Sequence, residues 1–362
     1  MYLLDALDKF ESKTDSVKLI ESEYELLSRV HLTGELDFGC VLFHFWEEPS
    51  FDAPRSVRAA YLRVAEPEFE LKDIPKEEQY YVPGGIADEI AILMSLFTRA
   101  HFVVSRRLSS GNLHFLQKFA HEGDVSFGDM DGRAINLGAV QPLFQLLKGL
   151  RLREAPNSDG SRRKRIEPFM LAARFYHVAL PLIREEETLA YISLVSAIEA
   201  LLHDYGLEEM GLGDWNEKAA DLIKAAVIDP NTYKQIESEI LRKAPLIKRR
   251  FVEFVASHLM DNFWNDSTRP KDPQWSRFRD VAELREYLGR IYDARSNALH
   301  RGEPFPPSVP GAPEERPMGL GVRVGKKEWK EKELIPPVRA FERIVHHVLM
   351  EYLRREATAS KK

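Results

Sequence analysis

From residue 166 onward the apolar residues recur at steps of three and four, and that period constrains the fold of this 362-residue chain more than any other feature. Tyr191, Leu194, Ile198, Leu201 and Tyr205 form one such stripe, and Val281, Leu284, Leu288 and Ile291 form another. Each stripe gives an amphipathic helix one face to bury, and helices of this kind bury it against one another. The segments EPFMLAARFYHVALPLI, with a stop near Pro181, EEETLAYISLVSAIEALLHDY, NEKAADLIKAAV, YKQIESEILRKA, LIKRRFVEFVASHLM, DVAELREYLGRIYDARSNALH and IPPVRAFERIVHHVLMEYLRRE all read as helices. Asp214 with Glu217 three residues later has the form of a capping box.

The first 150 residues have a different grain. YELLSRVHLTGELD, CVLFHFW and RAAYLRVAEPEFEL are β-rich with partial alternation. Pro83-Gly84-Gly85 punctuates the chain before IADEIAILMSLFTRAHFVVSRRL, which is helical in composition, and SFGDMDGRAINLG reads as a hairpin around Asp131-Gly132. The expected organisation is an α+β domain over 1–153, a basic linker over 154–165 (EAPNSDGSRRKR) and an all-α helical bundle over 166–356.

Composition excludes several classes of function. The formal net charge of −6 argues against wholesale polyanion binding, so nucleic-acid contact requires a local basic surface. Residues 242–301 supply one, with 13 Lys+Arg against 8 Asp+Glu. The single cysteine, Cys40, can form neither an intrachain disulfide nor a cysteine metal cluster, which fits a cytoplasmic setting. The N-terminus MYLLDALDKFESK lacks a signal-peptide core, and runs such as CVLFHFW are too short to cross a membrane. No cofactor or metal is expected.

Chemistry concentrates at DARSNALHRGEP, residues 293–304. Continuing the stripe past Ile291 lands on Arg295, so a guanidinium takes a core-facing position and requires a partner. Glu199, beside the apolar face of LVSAIEALL, is the matching carboxylate, and a contact within about 4 Å is expected. His300 precedes Gly302 and Pro304, both stop signals, which places it in the last helical turn where the dipole favours a cation. Five positions separate the two by about 140° around an ideal helix. They converge only if the helix end unwinds or a second subunit supplies the partner. The pattern alone is unspecific: Arg107/His114 and Arg339/His346 match it with wider spacing. A core ion pair with a capping histidine explains the same residues. Elsewhere, GLGVRVGKK fails the Walker spacing and reads as a basic surface loop, GDMDGR lacks the later ligands of a calcium loop, and His346-His347 has no second ligand pair.

YISLVSAIEALL (191–202) and IYDARSNALHRGEP (291–304), in this order and about a hundred residues apart, resemble the Apea-like HEPN family. The resemblance covers about 166–356 and implies a helical bundle that dimerises. It also implies a metal-independent endoribonuclease of the R-x4-6-H type, working in phage defence or a toxin-like stress response. Carried over by position, Arg295 and His300 are the catalytic pair, with Glu199, Ser296 and Asn297 in support. Ser296 follows the arginine where catalytic members often have Asn, Asp or His, and His300-Arg301-Gly302 replaces the usual His-Gly. RNA, a second copy of the chain through the helical domain, and an antitoxin or other protein are the implied partners, with no membrane. The first 153 residues would then sense or regulate. The alternative within the family is a non-catalytic module that binds nucleic acid or a protein.

Overall fold

The structure, a computed structural model, describes residues 2–11, 19–44, 57–67, 85–109, 132–152, 154–156, 162–202, 205, 217–226, 229–243, 247–259, 263, 280–308, 322–324, 327–330 and 333–358. These residues are mostly helical, with a five-stranded antiparallel sheet and three two-stranded ones.

Helix α1 (Tyr2–Glu11) is followed by strands β1 (Leu19–Ser28), β2 (His31–Thr33), β3 (Leu36–Asp37), β4 (Val41–His44) and β5 (Arg58–Pro67). Helix α2 (Gly85–Thr98), strand β6 (Val103–Ser109), strand β7 (Ala134–Asn136) and helix α3 (Leu137–Arg151) complete the first part. The sheet order is β3-β4-β5-β1-β6, all antiparallel. On the β1–β5 pair, Ser22, Tyr24 and Leu26 lie opposite Val64, Leu62 and Ala60, and all six are buried. That face is covered by α1 and α2, as the period of two along each strand requires.

Helix α2 is apolar on nearly every side, because it lies between the sheet and the helices that follow. The reading of IADEIAILMSLFTRAHFVVSRRL as one long helix is corrected here: the helix ends at Thr98 and β6 begins at Val103. Side chains end it. Thr98 Oγ1 bonds back to Met94 O (2.6 Å) and accepts from Ala100 N (3.3 Å), while Ser95 Oγ accepts from Phe102 N (3.0 Å). Arg99 between them takes the left-handed conformation, φ +57°. The expected hairpin around Asp131-Gly132 falls largely outside the described residues, and its described part, β7, instead pairs in parallel with β2.

The stretch expected to be a linker includes an antiparallel ribbon of β8 (Glu154–Pro156) and β9 (Arg162–Lys164). Helices α4 (Ile166–Glu185), α5 (Glu187–Glu199), α6 (Glu217–Ala226), α7 (Pro230–Lys243), α8 (Ile247–His258) and α9 (Val281–Arg301) follow. A second ribbon, β10 (Val322–Val324) with β11 (Lys327–Trp329), precedes α10 (Val338–Thr358). Asp214 of the expected capping box lies outside the described residues.

Helix α4 runs through Pro181 rather than stopping there; Glu186 N still closes on Leu182 O at 2.9 Å. Among the described residues it is the one helix with the length and hydropathy of a membrane span. Phe169, Ala172, Ala173, Tyr176 and Ala179 on its inner side are nevertheless fully buried. Helix α10 packs against α3, α4, α5 and α8, and one continuous apolar core runs from the sheet through α2 and α3 to Leu353. Where α3 meets the end of α10, a Cβ on Gly149 would stand 2.8 Å from Ala357 O, so only glycine permits that approach.

Candidate active site

Helix α9 carries the Arg295/His300 pair, and its ends are well specified. Asp280 caps the start by accepting from Glu283 N at 2.8 Å. At the other end Gly302 is left-handed (φ +65°); its N–H donates to Ala298 O (3.2 Å), and Glu303 N donates to Asn297 O (3.3 Å). The helix therefore stays wound through Arg301. Leu284, Tyr287, Leu288, Ile291 and Ala294 are buried, whereas Val281, expected to start the stripe, is exposed at the mouth of the helix.

Arg295 continues the buried side and meets its expected partner. Its Nη2 donates to Glu199 Oε2 at 2.7 Å, and the two side chains keep 20% and 21% of their surface. The other carboxylate oxygen is occupied: the Tyr292 hydroxyl donates to Glu199 Oε1 at 3.0 Å. The ion pair is consequently a one-point contact rather than a fork. Arg295 Nε is buried and has no hydrogen-bond partner among the described residues. Tyr292 packs against Phe251 of α8, ring centres 5.3 Å apart, and burial beside Glu199 pushes its phenol up to about 12. Tyr292 is the site residue that the sequence reading passes over. It lies one turn before Arg295 on the same side of α9, which is the signal that points to it.

A second arginine–glutamate pair in the same chain provides a standard. Arg99 grips Glu342 of α10 with both Nε (3.1 Å) and Nη2 (2.5 Å), and Tyr176 of α4 also donates to Glu342 Oε1. Glu342 is buried; burial pushes its carboxyl up, but the Arg99 charge outweighs this and leaves it below the usual carboxylate range. That pair is forked and its carboxylate is buried, although Arg99 keeps 24% of its side-chain surface. Arg295–Glu199 is a single contact with a half-buried carboxylate.

His300 is exposed and projects about 140° from Arg295 around the wound helix, so a single chain does not bring them together. Ser296 and Asn297 are half-buried between them, and Leu299 is exposed. Helix α8 lies antiparallel to α9: Glu253 pairs with Arg285 (2.9 Å) and Lys248 with Asp293 (2.5 Å). The positive N-terminal end of α8, with exposed Lys248, Arg249 and Arg250 in its first turn, thus lies beside Asp293. His300, two turns further on the same face, extends about 10 Å past it.

The chain after the helix is anchored. Phe305 stacks on Tyr191 with centroids 5.4 Å apart, Ile335 N donates to Pro307 O (3.3 Å), and Tyr191 OH donates to Pro336 O. This segment opens a Pro-rich stretch over 303–318, of which residues 309–318 lie outside the described residues.

The other candidates are accounted for by packing or lie outside the described residues. Arg107 lies on β6 over the Tyr24 ring and donates to Ser22 Oγ, while His114 is outside the described residues. Arg339 and His346 are half-buried on α10 beside the Arg99–Glu342 pair, and burial holds the His346 imidazole down at about 3. The described parts of GLGVRVGKK form the β10–β11 ribbon, with Gly325 and Lys326 outside the description; GDMDGR is described only from Gly132. Among the described residues no three His, Cys, Asp or Glu side chains group to hold a metal ion. Set against protein-family models, curated proteins and solved structures, the chain finds no match in any of the three.

Proposed function

We propose that the chain is an endoribonuclease of HEPN type that cleaves RNA without a metal, with Arg295 and His300 as its catalytic residues. The observation that carries this reading is the one-point hold on Arg295, unlike the two-point fork on Arg99. A core ion pair needs all its donors met, whereas Arg295 retains donors beyond the one given to Glu199.

RNA brings its own nucleophile, the 2′-hydroxyl. An imidazole takes its proton, the 2′-oxygen attacks phosphorus, and the bond to the 5′-oxygen breaks. The imidazolium so formed returns that proton to the leaving oxygen, giving a 2′,3′-cyclic phosphate and a 5′-hydroxyl. The Arg295 guanidinium stabilises charge building on the non-bridging oxygens. Because one chain separates Arg295 from His300, the reading requires a two-fold dimer in which each copy's His300 faces the other's Arg295. The basic first turn of α8 would then hold the backbone of the RNA strand. Ser296 and Asn297 line the helix between the pair as supporting groups. The setting would be cytoplasmic, in phage defence or a toxin-like response, with the sheet-bearing part in a sensing or regulatory role.

The test is incubation of the purified protein with single-stranded RNA in EDTA. Cleavage ending in 2′,3′-cyclic phosphate supports the reading, and intact RNA opposes it. One observation favours a second reading, a non-catalytic module that binds nucleic acid or a protein: the pair does not converge within one chain. Retention of RNA binding without cleavage, in a chain that light scattering finds monomeric, would favour that alternative.

A further inference from the structure

We propose that Tyr292 is a positioning residue that keeps Glu199 from closing on Arg295. This deepens the ribonuclease reading and rests on it for its consequence, but its structural core stands on the geometry alone. A carboxylate facing an arginine settles most strongly into a fork, with two parallel N–H···O bonds. Arg99 and Glu342 do so through Nε and Nη2. At Arg295 the same fork is half made: Nη2 reaches Glu199 Oε2, but Nε has no partner. The oxygen that Nε would take, Oε1, is turned to the Tyr292 hydroxyl.

A tyrosine alone does not forbid a fork, since Tyr176 shares Glu342 Oε1 with Arg99 Nε. The difference lies in where the tyrosine stands. Tyr292 and Arg295 belong to one helix, one turn apart, and both reach across to Glu199 on α5. The two donors pull the two carboxylate oxygens to different points along α9. Phe251 on α8 packs against the Tyr292 ring, centroids 5.3 Å apart, which restrains the hydroxyl from following the carboxylate if it rotates. The guanidinium is thereby kept in place by charge and one bond, with its Nε edge buried and unbonded and its other nitrogens left to meet a phosphate oxygen. An arginine gripped on its Nε edge would be a structural residue like Arg99.

The experiment uses Tyr292→Phe in the full chain, which retains the ring and its contact with Phe251 and removes only the hydroxyl. With arginine side chains labelled in 15N, the Arg295 Nε–H signal, assigned by its loss in Arg295→Lys, reports the fork directly. The expected result is a downfield proton shift in Tyr292→Phe, as Nε engages the released oxygen. In Glu199→Ala the further change Tyr292→Phe should move this signal no more; Glu199→Leu, which likewise offers no acceptor, serves if the alanine variant does not fold. In the cleavage assay Tyr292→Phe should lower kcat for RNA cleavage about tenfold, the equivalent of one charge-assisted hydrogen bond to the charge that builds on the phosphate, with KM altered less. An unshifted Nε–H signal in Tyr292→Phe overturns the proposal. So does an equal shift with and without Glu199, since Tyr292 would then act by packing. If wild type cuts no RNA, the ribonuclease reading fails while the Nε–H signal still decides the role of Tyr292.

Discussion

Replacing Arg99 by Met tests the forked ion pair that ties α2 to α10. Methionine keeps the aliphatic stem and the Cβ, so the left-handed backbone at φ +57° carries the same strain in both proteins. Glu342, 4% exposed, is left with the Tyr176 hydroxyl as its remaining direct hydrogen-bond donor among the described residues. Stripping one partner from a buried pair costs about 3–5 kcal/mol. Arg339, one turn earlier, still attracts Glu342, which places the expectation near about 3 kcal/mol. Removing the charge as well, in Arg99→Met/Glu342→Leu, leaves only the Tyr176 hydroxyl unmet, at about 1–2 kcal/mol. The double variant should therefore be more stable than the single one. The pH dependence has a defined sign. In wild type the Glu342 carboxyl lies below its ordinary value, so its contribution is present above the unfolded pKa and lost as pH falls through the folded one. In Arg99→Met burial acts with less opposition and raises the carboxyl, so the deficit relative to wild type shrinks as pH falls. Urea unfolding followed by circular dichroism at pH 7 and pH 5 measures both effects. A loss under about 1 kcal/mol, or a double variant no better than the single, would refute the reasoning.

Three further outcomes follow from the same geometry. His101, His177 and His346 are held neutral by burial, at about 4, about 3 and about 3, so the unfolded chain binds protons that the folded one refuses. Their contribution is complete above about pH 6.5 and is lost as pH falls toward 4, and a thermal-unfolding series should fall steeply there even at high salt. Gly302→Ala places a Cβ in open space but on a left-handed backbone; it should cost about 1–2 kcal/mol and lower cleavage by loosening the turn that holds His300. Tyr191→Phe leaves Pro336 O without that donor in a buried position and should cost about 1–3 kcal/mol, measured by denaturant unfolding.

Much of the helical half was legible because its information is periodic. The stripe from Leu284 to Ile291 led to Arg295, and the need to pair a charge beside an apolar face led to Glu199, met at 2.7 Å. The C-terminal position of His300 was legible from Gly302. Local chemistry hid other features. The α2–β6 boundary depends on Ser95 and Thr98 bonding to nearby backbone, which composition does not display. Pro181 does not end α4, because the buried Ala179 and Leu180 hold the segment before it and Glu186 N still bonds to Leu182 O after it. The Arg99–Glu342 pair joins residues 243 apart, a distance over which no periodicity carries information. Tyr292 was passed over because a tyrosine near a core needs no explanation until its hydroxyl has a partner.

His300 offers the most direct test of the central claim. Its side chain is exposed, so His300→Ala should unfold at the same temperature as wild type and keep the same oligomeric state. Cleavage of a single-stranded RNA in EDTA, measured on matched preparations of the two proteins, should fall at least about a hundredfold in the variant, the usual contribution of a general acid–base group. Equal cleavage by the two preparations would contradict the assignment of this site.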